Sequence, residues 1–174
     1  MADQRFLLAG NAVSFLAACF TLASAWSRDR RRIYTYQAWQ CLLLAGANVL
    51  FGSISGVTTF LLCTLRNLLL ARDRFTKRRC AFFVAAVALL GLAANNRGLV
   101  GLIPVVTTAV YTVACLYVRR TRAIKANIIV NLTLWAVYDL FILDLVSCAV
   151  DGVSAAAAFL SLFRKESKDA AETE

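Results

Sequence analysis

Seven long apolar runs, separated by short polar segments, follow one another along the chain. They cover residues 6–26, 33–51, 54–71, 80–94, 99–118, 123–142 and 145–163. Most of these runs hold 18 to 21 residues, and a helix needs about 20 apolar residues to cross the hydrocarbon core of a bilayer. The fourth run has only 15 residues and needs flanking residues or local thinning of the bilayer to span it. The pattern predicts an all-α membrane protein with seven transmembrane helices.

The composition agrees with a protein that is surrounded by lipid. Hydrophobic residues make up 60% of the chain and charged residues 17%, whereas an average soluble domain has about 25% charged residues. Histidine, the commonest proton carrier and metal ligand at neutral pH, does not occur. The six cysteines stand singly, without CxxC spacing, and are interpreted as packing residues. We therefore expect no metal, no cofactor and no catalytic residue, and the chain is not expected to be an enzyme.

The charged residues are concentrated between the apolar runs. Thirteen of the 19 basic residues follow the first, third and fifth runs, whereas the even-numbered loops hold only Arg97. These thirteen are Arg28, Arg30, Arg31, Arg32, Arg72, Arg74, Lys77, Arg78, Arg79, Arg119, Arg120, Arg122 and Lys125. Because basic loops stay in the cytoplasm, the N-terminus is predicted to be outside and the C-terminus cytoplasmic. Membrane topology thus explains the net charge of +9, and nucleic acid is not expected as a partner.

The two ends of the chain carry little further information. The small residues of LASAW, at the end of the first run, resemble a signal-peptidase site. Cleavage is not expected there, because the apolar region before it is too long and no basic region precedes it. Residues 164–174, which include RKESKDAAETE, are polar and of mixed charge, and a disordered cytoplasmic tail is predicted.

An internal repeat relates the two halves of the chain. A shift of 91 positions aligns WSRDRRRIYTYQAWQ, from position 26, with YVRRTRAIKANIIVN, from position 117. The shift places the first three apolar runs on the last three and leaves the fourth unmatched, so a linker helix would give both triplets the same orientation. We predict a 3+1+3 arrangement of parallel repeats: a first repeat over residues 1–79, a linker helix over 80–97, and a second repeat over 98–163.

Polar residues form equivalent stripes in the second helix of each repeat. The first stripe consists of Tyr36, Gln40, Leu44 and Asn48, and the shift places it on Asn127, Asn131, Trp135 and Asp139. The spacing of four residues puts each stripe on one helix face, and in lipid such a face must point inward. Two interpretations stay open. The stripes line a central cavity, or residues such as Gln40 and Asn131 only hydrogen-bond to neighbouring helices.

Three aspartates fall in the outer half of the sixth and seventh helices. Asp151 lies about two turns into an apolar helix, on one face with Ser147 and Ser154, and this face is predicted to border a cavity or the other repeat. Asp139, at the outer end of its helix, either meets the headgroups or lies at the mouth of a cavity. Asp144 is interpreted as a solvated loop residue.

Arg66 is a charged residue inside the third apolar run. It lies about 9 Å short of the cytoplasmic end of its helix, because Arg72 follows six residues later. Its long side chain either snorkels to the headgroups or points inward to meet an anion or a carboxylate. A simple salt bridge to Asp151 is not expected, because the two residues differ by roughly 11 Å in depth. Pro104 is either a hinge within the fifth helix or a proline at its start.

The chain resembles the YgjV-like bacterial inner-membrane proteins in four stretches: SRDRRR…Q, FGSISG, GVTTFLLCTLRNLLLARDR and LWAVYD…VDGVSA. The resemblance extends to about Arg164, and its most specific parts are the arginine late in the third helix and the pair Asp151–Gly152. Since the family has no assigned activity, the resemblance implies a location in the bacterial inner membrane and no functional residue. The 3+1+3 plan also looks like the SWEET, PQ-loop and PnuC-type transporters, although a shared fold does not establish function.

A small-solute transporter is the leading hypothesis, with the solute held near the midplane between the repeats. Gln40, Asn48, Asn131 and Trp135 would bind it, while Arg66, Asp139 and Asp151 would set charge preference or proton coupling. A receptor or scaffold protein of the same fold is the alternative, and a membrane enzyme is the weakest hypothesis. The expected partners are the lipid bilayer and a small polar solute. An oligomer is possible but not required, because both repeats are in one chain.

Overall fold

The computed structural model describes residues 4–26, 30–117 and 121–162. These parts form seven α-helices and no strand, which confirms the predicted all-α class with seven helices. The helices are α1 (Gln4–Trp26), α2 (Arg30–Leu50), α3 (Ile54–Ala71), α4 (Lys77–Ala93), α5 (Leu102–Tyr117), α6 (Thr121–Ile142) and α7 (Leu145–Leu162). The predicted disordered tail lies outside the described residues.

Six of the helices form a closed ring. Each helix packs on the next in the order α1, α2, α3, α5, α6 and α7, and α7 packs back on α1. The remaining helix, α4, packs against α3 and α5 and lies outside the ring. The ring therefore encloses an interior to which α4 does not contribute.

The turn between α2 and α3 has the same backbone path as the turn between α6 and α7. Gly52 in the first turn has φ 67°, and Leu143, 91 positions later, has φ 66°. The next residue donates its N–H to the helix carbonyl five residues earlier in both turns, at 2.9 Å each. A left-handed conformation is uncommon for a leucine, so its use at the equivalent position is a specific likeness between the halves.

The two helices that leave these turns are also capped alike. Ser53 Oγ accepts the N–H of Gly56 at 3.3 Å at the start of α3. Asp144 Oδ1 accepts the N–H of Ser147 at 3.0 Å at the start of α7. Both pairs are again 91 positions apart, and both satisfy an N–H that has no partner within the helix. This repetition supports the parallel-repeat hypothesis, although the full 3+1+3 arrangement stays a prediction.

An asparagine from another part of the chain clamps each turn. The side-chain amide of Asn96 donates to the carbonyl of Gly52 at 2.8 Å and accepts the N–H of the first residue of α3 at 3.2 Å. Asn11 donates to the carbonyl of Leu143 at 3.1 Å and accepts the N–H of the second residue of α7 at 3.2 Å. Since each turn is held from outside its own helix pair, both turns, which lie at the same end of the ring, are fixed by side chains rather than by local sequence alone.

The distribution of polar and apolar side chains differs from that in a soluble protein, because many large apolar side chains are outside and many polar ones inside. Large apolar side chains are exposed on every helix, for example Phe15, Leu42, Leu61, Leu89, Val106, Phe141 and Val153. Serine, threonine and asparagine side chains, one arginine and two aspartates are buried inside. An apolar exterior over a polar interior is what a bilayer requires of a helical protein.

Two helical segments pass a strict test of length and hydropathy for a membrane span, namely Gln4–Ser24 and Ile54–Ala71. Leu102–Tyr117, Ile129–Ile142 and Leu145–Ala156 are apolar but shorter. The crossing of the membrane by all seven helices stays a prediction. Pro104 is the third residue of α5, where its missing N–H removes no helical hydrogen bond. The structure therefore favours the helix-start interpretation of this proline over the hinge.

Candidate functional site

The ring encloses a cavity of about 340 Å³, which is within the range of small-molecule binding pockets. All six ring helices contribute to its wall, whereas none of the lining residues belongs to α4. Six of the seven residues predicted from the sequence to contact a solute line this cavity: Gln40, Arg66, Asn131, Trp135, Asp139 and Asp151. The structure thus brings them to one place, and their binding of a solute stays a prediction.

The seventh predicted residue, Asn48, does not line the cavity. It is fully buried, its amide donates to the carbonyl of Leu44 at 2.9 Å, and its Oδ1 accepts the hydroxyl of Tyr138 at 3.0 Å. The same hydroxyl shares a short hydrogen bond with Ser53 at the start of α3. Asn48 therefore joins α2, α6 and the α2–α3 turn, which is the interhelical role that polar residues commonly have in membranes.

We expect Tyr138→Phe to lower the free energy of unfolding by about 1–2 kcal/mol, because it leaves the buried Asn48 Oδ1 and the Ser53 hydroxyl without this partner. Unfolding of the purified protein in detergent, with increasing sodium dodecyl sulfate, measures the change. Tyr117→Phe is the control, since Tyr117 is exposed. Equal effects of the two substitutions would show that the hydroxyl of Tyr138 contributes nothing specific.

The guanidinium of Arg66 is buried in the cavity wall, with the side chain only 5% exposed. Its Nη1 donates to Thr112 Oγ1 at 2.9 Å, while Nε and Nη2 donate to Asn67 Oδ1 at 3.3 and 3.2 Å. It also lies 5.1 Å from the ring centre of Tyr111, a cation–π contact. Among the residues that the structure describes, no carboxylate is within ion-pair distance of Arg66. The structure therefore favours the inward alternative over snorkelling.

The groups that hold Arg66 are themselves fixed. Thr112 donates its hydroxyl to the carbonyl of Thr108 at 2.6 Å, so its oxygen is turned to accept from the arginine. The amide of Asn67 contacts the sulfur of Cys41 at 3.6 Å. These bonds join α2, α3 and α5 around one charge, which gives the guanidinium a defined position in the wall.

The charged groups of the cavity lie at different levels along the ring axis. Phe60 and Trp135 stack with ring centres 4.5 Å apart, so α3 and α6 are at the same level there. Arg66 follows Phe60 by six residues, about 9 Å along α3, and Asp139 follows Trp135 by four residues, about 6 Å along α6. Because α3 and α6 run in opposite directions, Arg66 and Asp139 lie on opposite sides of the stack, about 15 Å apart along the axis.

Asp151 lies near the level of the stack. The α6–α7 turn is the common reference point, since the N–H of Asp144 bonds the carbonyl of Asp139 at 2.9 Å. Asp151 is seven residues, or about 10 Å, below Asp144, and Trp135 is seven residues, or about 10 Å, below Ile142, the last residue of α6. The cavity is therefore polarised, with a guanidinium at one end, the carboxyl group of Asp139 at the other, and the aromatic stack and Asp151 between them.

Comparison with protein families decides where this chain belongs. The family model Imp-YgjV, described as a bacterial inner membrane protein, matches residues 8–169, a range that includes part or all of every helix. The chain belongs to the YgjV family. It is therefore a bacterial inner membrane protein, and the bilayer is its environment. No curated protein and no solved structure matches this YgjV chain.

The interpretation of Asp144 as a solvated loop residue is wrong for this YgjV protein. Asp144 is fully buried between α6 and α7, where it accepts the hydroxyl of Ser14 at 2.5 Å and caps α7. Burial raises the pKa of its carboxyl group, against the opposing effect of the hydrogen bonds from Ser14 and Ser147. Its position in a loop was misleading because α1 covers that loop from the side.

Sequence reasoning did not select the residues that hold Arg66 in the YgjV cavity. Asn67 carried a signal, since it is a polar residue beside the arginine in an otherwise apolar run. Thr112 and Tyr111 carried none, because a threonine and a tyrosine are ordinary residues in an apolar helix. Their role depends on the packing of α5 against α3.

Proposed function

We propose that this YgjV protein is a multi-pass inner-membrane transporter, and that a small polar solute occupies the ring cavity during its passage. The observation that carries the proposal is the wall of the cavity, which combines a guanidinium, two carboxyl groups and four side-chain amides inside an apolar exterior. Charged groups within a membrane protein are costly and are usually retained for a function such as a solute or proton pathway. The volume of the cavity is large enough for a small solute.

A two-fold relation between the halves supports alternating access. If α1, α2 and α3 are exchanged with α5, α6 and α7, every pair of neighbours in the ring remains a pair of neighbours. Two repeats related in this way meet at the α3–α5 and α1–α7 contacts and enclose the cavity between them. In transporters built from such repeats, one repeat rocks against the other around a central site.

The proposed orientation has the N-terminus outside and the C-terminus in the cytoplasm. The turn between α3 and α4 supports it, because Arg72, Arg74, Lys77, Arg78 and Arg79 are all exposed there. Basic residues of this kind favour the cytoplasmic side. No enzymatic activity is included in the proposal, since the described Cys and acidic residues form no metal-ligand cluster and the chain has no catalytic motif.

A ligand-binding receptor or scaffold is the second candidate. Tyr138 bonds α6 to the start of α3, and Asn11 of α1 clamps the turn between α6 and α7. Bonds that tie one half to the other at the same end of the ring oppose rocking, which favours a cavity that opens to one side only. The two functions therefore differ in whether the cavity can be reached from both sides of the membrane or from one side only.

Thiol labelling from each side of the membrane separates the two functions without a known solute. Cys63 lines the cavity, so a variant keeps only this cysteine while the other five are replaced by alanine. The replaced residues are Cys19, Cys41, Cys80, Cys115 and Cys148. A transporter is expected to let a membrane-impermeant thiol reagent reach Cys63 in both right-side-out and inside-out vesicles.

The control for sidedness is Arg72→Cys in a variant without other cysteines, because Arg72 is exposed at the α3–α4 turn. It should react in inside-out vesicles only. Labelling of Cys63 from a single side, in vesicles where this control behaves as expected, would contradict transport and favour the receptor.

A further inference from the structure

We infer that the cavity binds a small organic monocarboxylate, with the carboxylate group against Arg66. A buried cation that lacks an opposite charge is unfavourable, and no described carboxylate pairs with this one. An anionic ligand supplies the missing charge, and one guanidinium matches one negative charge. The inference names the solute class of the proposed transporter, so it rests on that function for passage across the membrane but not for binding.

The geometry around the guanidinium favours a carboxylate over other anions. Three of its five N–H groups are engaged by Thr112 and Asn67, which leaves two for a further acceptor in the part of the chain that the structure describes. Tyr111 covers the guanidinium at 5.1 Å, so an acceptor approaches along the edge or the opposite face. A planar carboxylate suits the remaining donors, because Arg and carboxylate form paired, charge-assisted hydrogen bonds.

Two side-chain amides can complete the site beside Arg66. Asn131 is one turn before Trp135 on α6, which places it about 6 Å from the aromatic stack and on the same side as Arg66. Its Oδ1 is buried and has no hydrogen-bond partner among the described residues. Rotation of the amide by 180° presents two N–H donors at the same point, and Gln40 on the facing helix also lines the cavity. Both amides can therefore bond a carboxylate that Arg66 holds.

The rest of the cavity determines the orientation of the ligand and the chemical character of the part that does not contact Arg66. Asp139 lies beyond the aromatic stack and Asp151 near it, so the guanidinium of Arg66 is the positive charge that a carboxylate in the cavity meets, and this orients the ligand toward Arg66. Phe60 and Trp135 lie between the two ends and give the ligand an apolar and aromatic surface. A monocarboxylate with a flat apolar body, such as benzoate, meets both conditions and is smaller than the 340 Å³ of the cavity.

Binding is tested on the purified full-length protein in detergent with benzoate, its neutral isostere benzamide, and inorganic phosphate. Benzoate is expected to raise the melting temperature in a saturable way, because a ligand of the folded state stabilises it by mass action. Benzamide and phosphate at the same concentrations should cause no saturable shift. Equal shifts with benzoate and benzamide, a larger shift with phosphate, or no shift with benzoate would overturn the inference.

Variants then assign the binding to Arg66. Arg66→Met, which removes the charge and keeps a long side chain, should weaken benzoate at least tenfold in calorimetric titration. Arg97→Met is the matched control, since Arg97 lies outside the cavity and bonds the carbonyl of Phe51. Thr112→Val keeps the charge but removes one hydrogen-bond partner of the guanidinium, so it should weaken the binding of benzoate by a smaller factor. This variant tests the site if Arg66→Met does not fold. Unchanged affinity in both Arg66→Met and Thr112→Val would contradict the site.

The single-Cys63 variant gives a second readout at the same place. Cys63 is one turn from Arg66 on α3 and lines the cavity, so bound benzoate should slow its reaction with a thiol reagent, whereas benzamide should not. Protection by benzoate together with labelling from one side only would support the carboxylate site and refute transport. Labelling from both sides without protection by benzoate would support transport and refute the carboxylate site.

Discussion

Gly56→Ala is expected to lower the free energy of unfolding by about 2–4 kcal/mol. A methyl group on Gly56 would lie far inside van der Waals contact with Asn48 Oδ1 and 2.5 Å from the hydroxyl of Tyr138. Both atoms are fixed by their hydrogen bond to each other at 3.0 Å, so neither can move without breaking it. Overpacking of a filled site costs about 1–3 kcal/mol and a broken buried hydrogen bond a similar amount, and the two add only in part.

Unfolding in detergent with increasing sodium dodecyl sulfate measures this change, and Gly46→Ala is the matched control. Gly46 is in the middle of α2 and has no atom within 4 Å of an added methyl group. Alanine is the better helix former, so this control should be neutral or slightly stabilising. A similar loss of unfolding free energy in both variants would show that the effect of Gly56→Ala does not come from the contact between α2, α3 and α6.

Arg66→Met is expected to have the opposite sign and to raise the free energy of unfolding by about 1–2 kcal/mol in the absence of ligand. Replacing buried charged groups by apolar residues of similar size is often neutral or stabilising. The substitution removes the partner of Asn67 Oδ1, which offsets part of the gain. Thr112 loses less, because its hydroxyl keeps the bond to the carbonyl of Thr108. A gain in stability on removal of Arg66 would support a role of this residue in binding rather than in folding.

The same unfolding measurement on Arg97→Met provides the comparison. Arg97 is half-buried and donates to the carbonyl of Phe51 at the end of α2, so its removal should destabilise. Two arginine-to-methionine substitutions in one chain should thus change stability in opposite directions. If Arg66→Met destabilised as much as Arg97→Met, Arg66 would be a structural residue and its place in the cavity would need another explanation.

Much of the fold was predictable because its signals are local. The lengths of the apolar runs predicted seven helices, and the four-residue spacing of Gln40, Asn131, Trp135 and Asp139 predicted which faces turn inward. In a membrane a polar face must point away from the lipid whatever the tertiary packing, so the prediction did not depend on knowing the neighbours. The family could likewise be inferred from contiguous stretches of sequence.

The parts that were not predictable depend on contacts between distant residues. Asn48 belongs to the same stripe as Gln40, and only its bond to Tyr138, 90 residues away, separates it from the cavity. Asp144 looked solvated because nothing in the sequence indicates that Ser14 reaches it across 130 residues. Whether Arg66 would snorkel or point inward was decided by Thr112, 46 residues away. In each case the polar residue was evident in the sequence, but its hydrogen-bond partner could not be predicted.

The position of α4 outside the ring bears on how such a protein can arise. On the proposed repeat, the ring interfaces need only two three-helix units of the same orientation, and α4 is required only to join them in one polypeptide. The chain then has the form of two three-helix units linked in one polypeptide. Fusion allows the halves to diverge, and they have done so where the function is proposed to lie: the position of Asn48 in one half holds Asp139 in the other. A symmetric dimer would carry that carboxyl group twice or not at all, so a single carboxyl group at this level of the cavity requires two halves of different sequence.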